Sequence, residues 1–157
     1  MEGVINGRRQ VSPHWFLSRD GDPDALQLMK RHYSWHEYKD GRPHKLFVGP
    51  GFKIVLLTEA LNALFVWRKF KCADGQQGVN CAVFRNESDV QSSELIMEAE
   101  KVAWHRWPGE RLFTYVNARK VKSQNPGYCF MRAGWQKVGI TKWNKLVILK
   151  KDAVTAK

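Results

Sequence analysis

Apolar residues in this chain come in short dense runs separated by polar loops. Lys53 to Thr58 (KIVLLT) and Ala63 to Phe70 (ALFVWRKF) are rich in β-branched and aromatic residues. Only Glu59 to Asn62 lies between them, so they read as the two strands of a hairpin. Val79 to Arg85 (VNCAVFR) holds the unbroken apolar stretch Cys81 to Phe84, the pattern of a strand covered on both faces. His14 to Arg19 (HWFLSR) and Leu112 to Val116 (LFTYV) are two further strand segments, and Gln136 to Trp143 with Leu146 to Leu149 predict a closing hairpin.

Helical signals occur in between. Asp22 is placed to cap a helix, Pro23 fits its first position and Asp24 complements its dipole; Ala25, Leu28 and Met29 form the apolar stripe, which fades near His32-Tyr33-Ser34. Ser92 and Ser93 are expected as N-caps of a second helix that Pro108-Gly109 stops after Trp107. Leu95, Ala99, Val102 and Arg106 share a face, flanked by Ile96, Ala103 and Trp107, whereas Glu94, Glu98 and Lys101 are assigned to water, with Glu98 and Lys101 spaced to pair. Asn125-Pro126 predicts the start of a short third helix through Tyr128, Cys129, Phe130, Met131 and Arg132, and Gly134 suits the left-handed residue that closes it. The order β–α–ββ–β–α–β–α–ββ predicts an α/β layer arrangement with helices between the strands of a mixed sheet. One domain over residues 1–157 is expected, with a core of about 14–150 between flexible N- and C-terminal tails.

Composition narrows the function. A hydrophobic content of 43% supports a packed core and excludes a wholly disordered chain. The net charge of +11 favours a polyanionic partner over a neutral one. The excess is local: between Glu110 and Asp152 no acidic residue occurs, while Arg111, Arg119, Lys120, Lys122, Arg132, Lys137, Lys142, Lys145, Lys150 and Lys151 all do. No apolar run is long enough to cross a membrane, and MEGVINGRRQ has no apolar signal core. Cys72, Cys81 and Cys129 lack metal or disulfide spacing, so reduced thiols in a cytoplasm are expected, with Cys129 read as a small packing residue. His32 and His36 stand at i,i+4, but no third ligand is apparent and no metal is expected.

A short helix between two strands, with Tyr128 in its first turn and Gly134-Trp135 after it, together with this element order, resembles the acyl-CoA N-acetyltransferases of the GNAT superfamily. The resemblance spans roughly Trp15 to Lys150. It implies a mostly antiparallel sheet with a splayed central parallel pair, formed by Val79–Arg85 and Leu112–Val116, and acetyl-CoA or a related acyl-CoA as donor. It places the donor against Val83, Phe84, Arg85, Asn86, Ser92, Ser93, Asn125 and Tyr128, with Tyr128 protonating the departing thiolate. The junction Arg85 to Ser93 departs from the superfamily's phosphate loop: it has no glycine, and it carries Glu87 and Asp89. An ordinary capped helix is the alternative there.

A narrower resemblance is to the bacteriophage Mom proteins, GNAT-like enzymes that modify adenine in DNA. Its carriers are His32-Tyr33-Ser34, Tyr115-Val116-Asn117, Gly127, Phe130 and Gly134-Trp135, with Asn117 where that family has Asp and Phe130 where it has Tyr. It implies catalytic roles for His32, Tyr33, Ser34 and Asn117 beside Tyr128, and DNA as substrate. Arg119, Lys120, Lys122, Arg132 and Lys142 are the expected phosphate contacts, and Trp35, Trp107, Trp135 and Trp143 candidates to line a base pocket, with Trp67 assigned to the core. The function expected is thus an acyl-CoA-dependent N-acyltransferase acting on a nucleic-acid base. Acetylation of a protein or small amine and non-enzymatic nucleic-acid binding are the alternatives.

Overall fold

The computed structural model describes residues 3–32, 46, 48–49, 51–70, 77–117, 127–142 and 145–154. Among them, nine strands form one open sheet and three helices cover it. The strands are β1 (Val4–Ile5), β2 (Arg8–Gln10), β3 (Phe16–Leu17), β4 (Phe52–Leu57), β5 (Ala63–Lys69), β6 (Val79–Asn86), β7 (Leu112–Val116), β8 (Gln136–Ile140) and β9 (Val147–Lys151). The helices are α1 (Pro23–Lys30), α2 (Ser92–Arg106) and α3 (Tyr128–Arg132). The sheet order is β1-β2-β3-β4-β5-β6-β7-β9-β8, antiparallel everywhere except between β6 and β7. The expected α/β class and both expected hairpins, β4–β5 and β8–β9, are present.

The N-terminal segment is not a tail. Asn6 and Gly7 both have left-handed φ, 55° and 77°, the geometry of a two-residue hairpin turn, and they join β1 to β2 at the sheet edge. Arg8 then ties this hairpin to α1, its Nε and Nη2 donating to the Asp22 carboxylate at 2.9 Å each and Nη2 also to Asp24 at 2.8 Å. Asp22 caps α1 as expected, accepting from the Asp24 N–H at 2.9 Å.

Strand alternation divides the core. Ile54, Leu56, Phe65, Trp67 and Cys81 face α2 and α3, while Val55, Leu57, Leu64, Val66 and Val83 face α1. The α2 side is anchored by indoles: Trp15 Nε1 donates to the Leu95 carbonyl at 2.9 Å and Trp67 Nε1 to the Ala99 carbonyl at 2.8 Å. A buried tryptophan thereby satisfies its one donor while its ring fills the layer. Trp135 does the same through Glu100 Oε2 at 2.8 Å, and Lys151 Nζ reaches Glu100 Oε1 at 2.7 Å. Trp107 and Trp135 are therefore core residues, 7% and 3% exposed, and not the lining of a base pocket. Trp67 is fully buried, as expected.

Two helix starts differ from expectation. Gln91 is the N-cap of α2, so Ser92 and Ser93 stand inside its first turn. Gly127, at φ 82°, is the N-cap of α3, which begins at Tyr128 rather than at Pro126. The exit from α3 follows the expectation from Gly134: the Trp135 N–H bonds the Phe130 carbonyl and the Gly134 N–H the Met131 carbonyl, both at 3.0 Å. The Phe130 and Trp135 rings then meet 4.9 Å apart, completing that motif with its apolar contact. Glu98 also departs from its assignment to water and bonds the loop before β3 through Ser12 and His14.

Candidate active site

The parallel pair is short. β6 and β7 are in register only from Val79↔Leu112 to Cys81↔Thr114, although β6 continues to Asn86 and β7 to Val116. A bulge accounts for the parting. Against β5, Val66 pairs with Val83 and Trp67 with Cys81, which leaves Ala82 as the extra residue. A bulged strand bends and twists away from its former line. Here the bend begins one residue after the last β6–β7 pair. Thr114 Oγ1 donates to the Cys81 carbonyl at 2.9 Å and closes the apex.

Beyond the apex lies a cavity of about 400 Å³. One wall is β6 from Cys81 to Asn86 and the other β7 from Thr114 to Val116. Gly127, Cys129 and Phe130 at the start of α3 cover one side, and Arg31 and His32 after α1 stand at the other. Gly127 is required by packing as well as by its φ, since a Cβ there would sit 2.5 Å from Leu149 Cδ1. The edges of β6 and β7 that would have bonded each other face this space. An extended chain carrying amides can take up such edges as an added strand does.

Charge collects at the mouth. Arg31 grips Glu87 with Nε at 2.6 Å and Nη2 at 2.9 Å, and Arg85 Nε donates to the same carboxylate at 2.9 Å. Hydrogen bonding from Arg31, with Arg85 behind it, holds the Glu87 carboxyl below its usual range. Glu87 is thus compensated, and two guanidiniums against one carboxylate leave the mouth cationic. His32 is half-buried beside it. Burial first, and then the Arg85 charge, lower its pKa to about 4, so the imidazole is neutral at neutral pH.

That shift has a measurable consequence. An unfolded histidine takes up its proton near 6.5, the folded His32 only near 4, so between these values the unfolded state binds more protons. The His32 contribution is complete above pH 6.5 and is lost as pH falls towards 4. The loss should be on the order of 1–3 kcal/mol in denaturant unfolding, and His32→Asn should flatten the curve in that window. An unchanged slope in the variant would show that other groups carry it.

The remaining expected site residues distribute unevenly. Val83, Phe84, Arg85 and Asn86 line the cavity, and His32 joins them. Ser92, Ser93, Asn117, Arg132, Lys142 and Tyr128 do not line it. The loop that leads to α2 is closed on itself: Asn86 Nδ2 donates to the Val90 carbonyl and Ser92 Oγ, and Asn86 Oδ1 accepts from Ser88. The Val90 N–H bonds Ser88 Oγ and the Glu87 N–H bonds the Asn62 carbonyl. The amides of Glu87, Ser88 and Val90 are accordingly spent. Tyr128 is 50% exposed on the outer side of α3, where Arg132 Nη1 donates to its hydroxyl at 3.3 Å. Arg132 and Lys142 are exposed, and Phe130 is buried against Phe84 and Trp135. Tyr33, Ser34, Asn125, Arg119, Lys120, Lys122, Trp35 and Trp143 lie outside the described residues.

Arg31, Ala82 and Thr114 are among the lining residues that sequence reasoning gives no site role, and Tyr115 enters there only as a carrier of the Mom resemblance. Arg31 precedes His32 directly, but its partner Glu87 is 56 positions away, so no local pattern marks the pair. Burial raises the thiol pKa of both Cys81 and Cys129, which keeps them protonated and poorly nucleophilic. His14, Glu94 and Glu98 bring ligand-type atoms within 4.8 Å of one another. Both Glu98 oxygens are already engaged by Ser12 and His14, so this group is a clasp between α2 and the loop before β3.

No protein-family model, curated protein or solved structure matches the chain.

Proposed function

We propose that the cleft between β6 and β7 holds the pantetheine arm of an acyl-CoA, and that the protein transfers the acyl group to an amine, with a nucleic-acid base as acceptor. The observation that carries this reading is the end of β6–β7 pairing at Cys81↔Thr114, with a cavity of about 400 Å³ lined by both strands beyond it. A pantetheine arm is a narrow chain with two amides, and two parted strands offer it backbone donors and acceptors on both sides. The parting of these strands supports the reading because the GNAT resemblance implies a splayed pair there.

The donor supplies an activated thioester. Val83, Phe84, Val116 and Phe130 would pack its arm and exclude water, and the cationic mouth would meet its phosphates. His32 at that mouth is the base proposed for the proton an amine sheds on attack; burial and the Arg85 charge hold its pKa at about 4 and oppose that step until an anion covers Arg85. The thiolate needs a proton in return. Tyr115 lines the cleft and Tyr128 does not, so Tyr115 is the phenol proposed for that step. The acceptor reading rests on the acid-free basic segment and on Tyr128 and Arg132, an exposed ring and guanidinium together on the outer side of α3. That exposed pair also suits the second reading, nucleic-acid binding without catalysis.

The test is calorimetric titration with acetyl-CoA, followed by mass spectrometry of DNA incubated with protein and donor. Binding in the micromolar range and a mass increase on bases support transfer. Absence of binding at millimolar acetyl-CoA removes the donor, and binding without any modified base removes the nucleic-acid acceptor.

A further inference from the structure

The contact of Glu87 with both mouth arginines raises the question of what those arginines are for. Three features bear on it. First, the two cations come from separate elements, Arg31 from the end of α1 and Arg85 from the end of β6, and both line the cleft that the proposed donor arm would enter. Second, the side chains are accessible: Arg31 is 45% exposed, Arg85 37% and Glu87 27%. Ion pairs this open add little to stability and do not stand as a structural lock. Third, the amides of Glu87, Ser88 and Val90, next to Arg85, are spent on Asn62, Asn86 and Ser88, so at this point of the mouth the guanidiniums are the donors a phosphate would meet.

We propose that Arg31 and Arg85 form a clamp for a phosphate or pyrophosphate group at the mouth of the cleft, and that Glu87 is its built-in occupant, displaced when that group arrives. The assignment of the cleft itself rests on the reading above; the clamp does not. A phosphate carries more charge than a carboxylate and offers more acceptor oxygens to the planar forks of two arginines. It therefore outcompetes Glu87 on both arginines at once. Glu87 in the meantime keeps two like charges apart from solvent anions and holds the forks together. The carboxylate whose charge opposes phosphate at the Arg85 to Ser93 junction is, on this geometry, the placeholder for it.

The experiment is calorimetric titration of the full chain with inorganic pyrophosphate, for wild type, Glu87→Gln, Arg85→Ala and Arg31→Ala. A placeholder competes with the ligand, so Glu87→Gln should tighten pyrophosphate binding roughly three- to tenfold. Each arginine variant should weaken it by about tenfold or more. If Glu87→Gln weakens binding as Arg85→Ala does, Glu87 is a brace and the placeholder is overturned; no change in any variant overturns the clamp. Coenzyme A and a short single-stranded oligodeoxynucleotide serve as further arms. Tightening by Glu87→Gln for the first alone assigns the clamp to the donor, and for the second alone to the nucleic-acid backbone. Pantetheine, which has no phosphate, separates the two proposals: if wild type fails to bind it while the pyrophosphate pattern holds, the cleft reading falls and the clamp stands.

Discussion

Glu100→Ala should be among the most destabilising single substitutions in the molecule, costing about 2–4 kcal/mol and lowering Tm by roughly 5–15 °C. Glu100 is 3% exposed on α2, and both of its oxygens are committed. One accepts from Trp135 Nε1 at 2.8 Å and the other from Lys151 Nζ at 2.7 Å. Removing it strands an indole N–H beneath α2 and leaves an ammonium with the Ala133 carbonyl, at 2.6 Å, as its protein partner. The ammonium is 22% exposed, so water recovers part of the loss, which puts the cost below that of a sealed pair. The same carboxylate joins α2 to β9 and to Trp135 just after α3, so its loss should also loosen the α3 wall. Pairing Lys151→Met with Glu100→Gln should restore much of the stability, because no buried charge is then left without a partner. Thermal unfolding of the four proteins of that cycle measures it. Equal and additive losses from the two changes would show that the carboxylate and ammonium do not act as a pair.

Filling the cleft from its bulge gives the second large effect. With Ala82→Phe, affinity for acetyl-CoA should fall at least about 100-fold, near 2.7 kcal/mol, while Tm moves by only a few degrees. Ala82 is the extra residue on β6, partly buried and lining the cavity while it also touches the α1-side core, so an added ring has open space to enter at a limited cost in packing. The measurement is paired calorimetry and thermal unfolding. Undiminished binding in a folded Ala82→Phe protein would place the donor elsewhere and end the acyltransferase proposal in its present form.

The frame of the molecule was legible because its signals are local. Alternation along Lys53 to Phe70, the apolar run at Cys81 to Phe84 and the Asp22-Pro23 helix start each act within a few residues, and the structure follows them. The Asn6-Gly7 turn is equally local: its left-handed pair closes the first hairpin in a segment that reads as a tail. Glu98 and Glu100 mark the limit of helical periodicity. Glu98 occupies a position that reads as solvated, yet His14 draws it inward; Glu100 shares the face of Ile96 and Ala103, and its buried charge is met by Trp135 and Lys151, partners far along the chain. The tryptophans show the converse error. The chemistry of Trp107 and Trp135 suits a surface for a base, whereas their volume places them in the core.

The candidate site was only half visible. His32 and Val83 to Asn86 were singled out beforehand and do line one cavity. Its place in a short helix assigns Tyr128 to that site, but successive side chains of a helix lie about 100° apart, so one turn presents some to the cleft and others to solvent. The helix begins at Tyr128, so Cys129 and Phe130 face the cleft and Tyr128 faces out. The sequence by itself determined the alternation of strands and helices, the two faces of the sheet and the cationic character of the chain, since these follow from side-chain spacing and composition. Only the tertiary structure decided that β6 and β7 part after Cys81 and Thr114, which phenol borders the gap, and that Glu87 lies between Arg31 and Arg85. Those features depend on a single bulged residue and on contacts across dozens of positions, where no periodicity carries information.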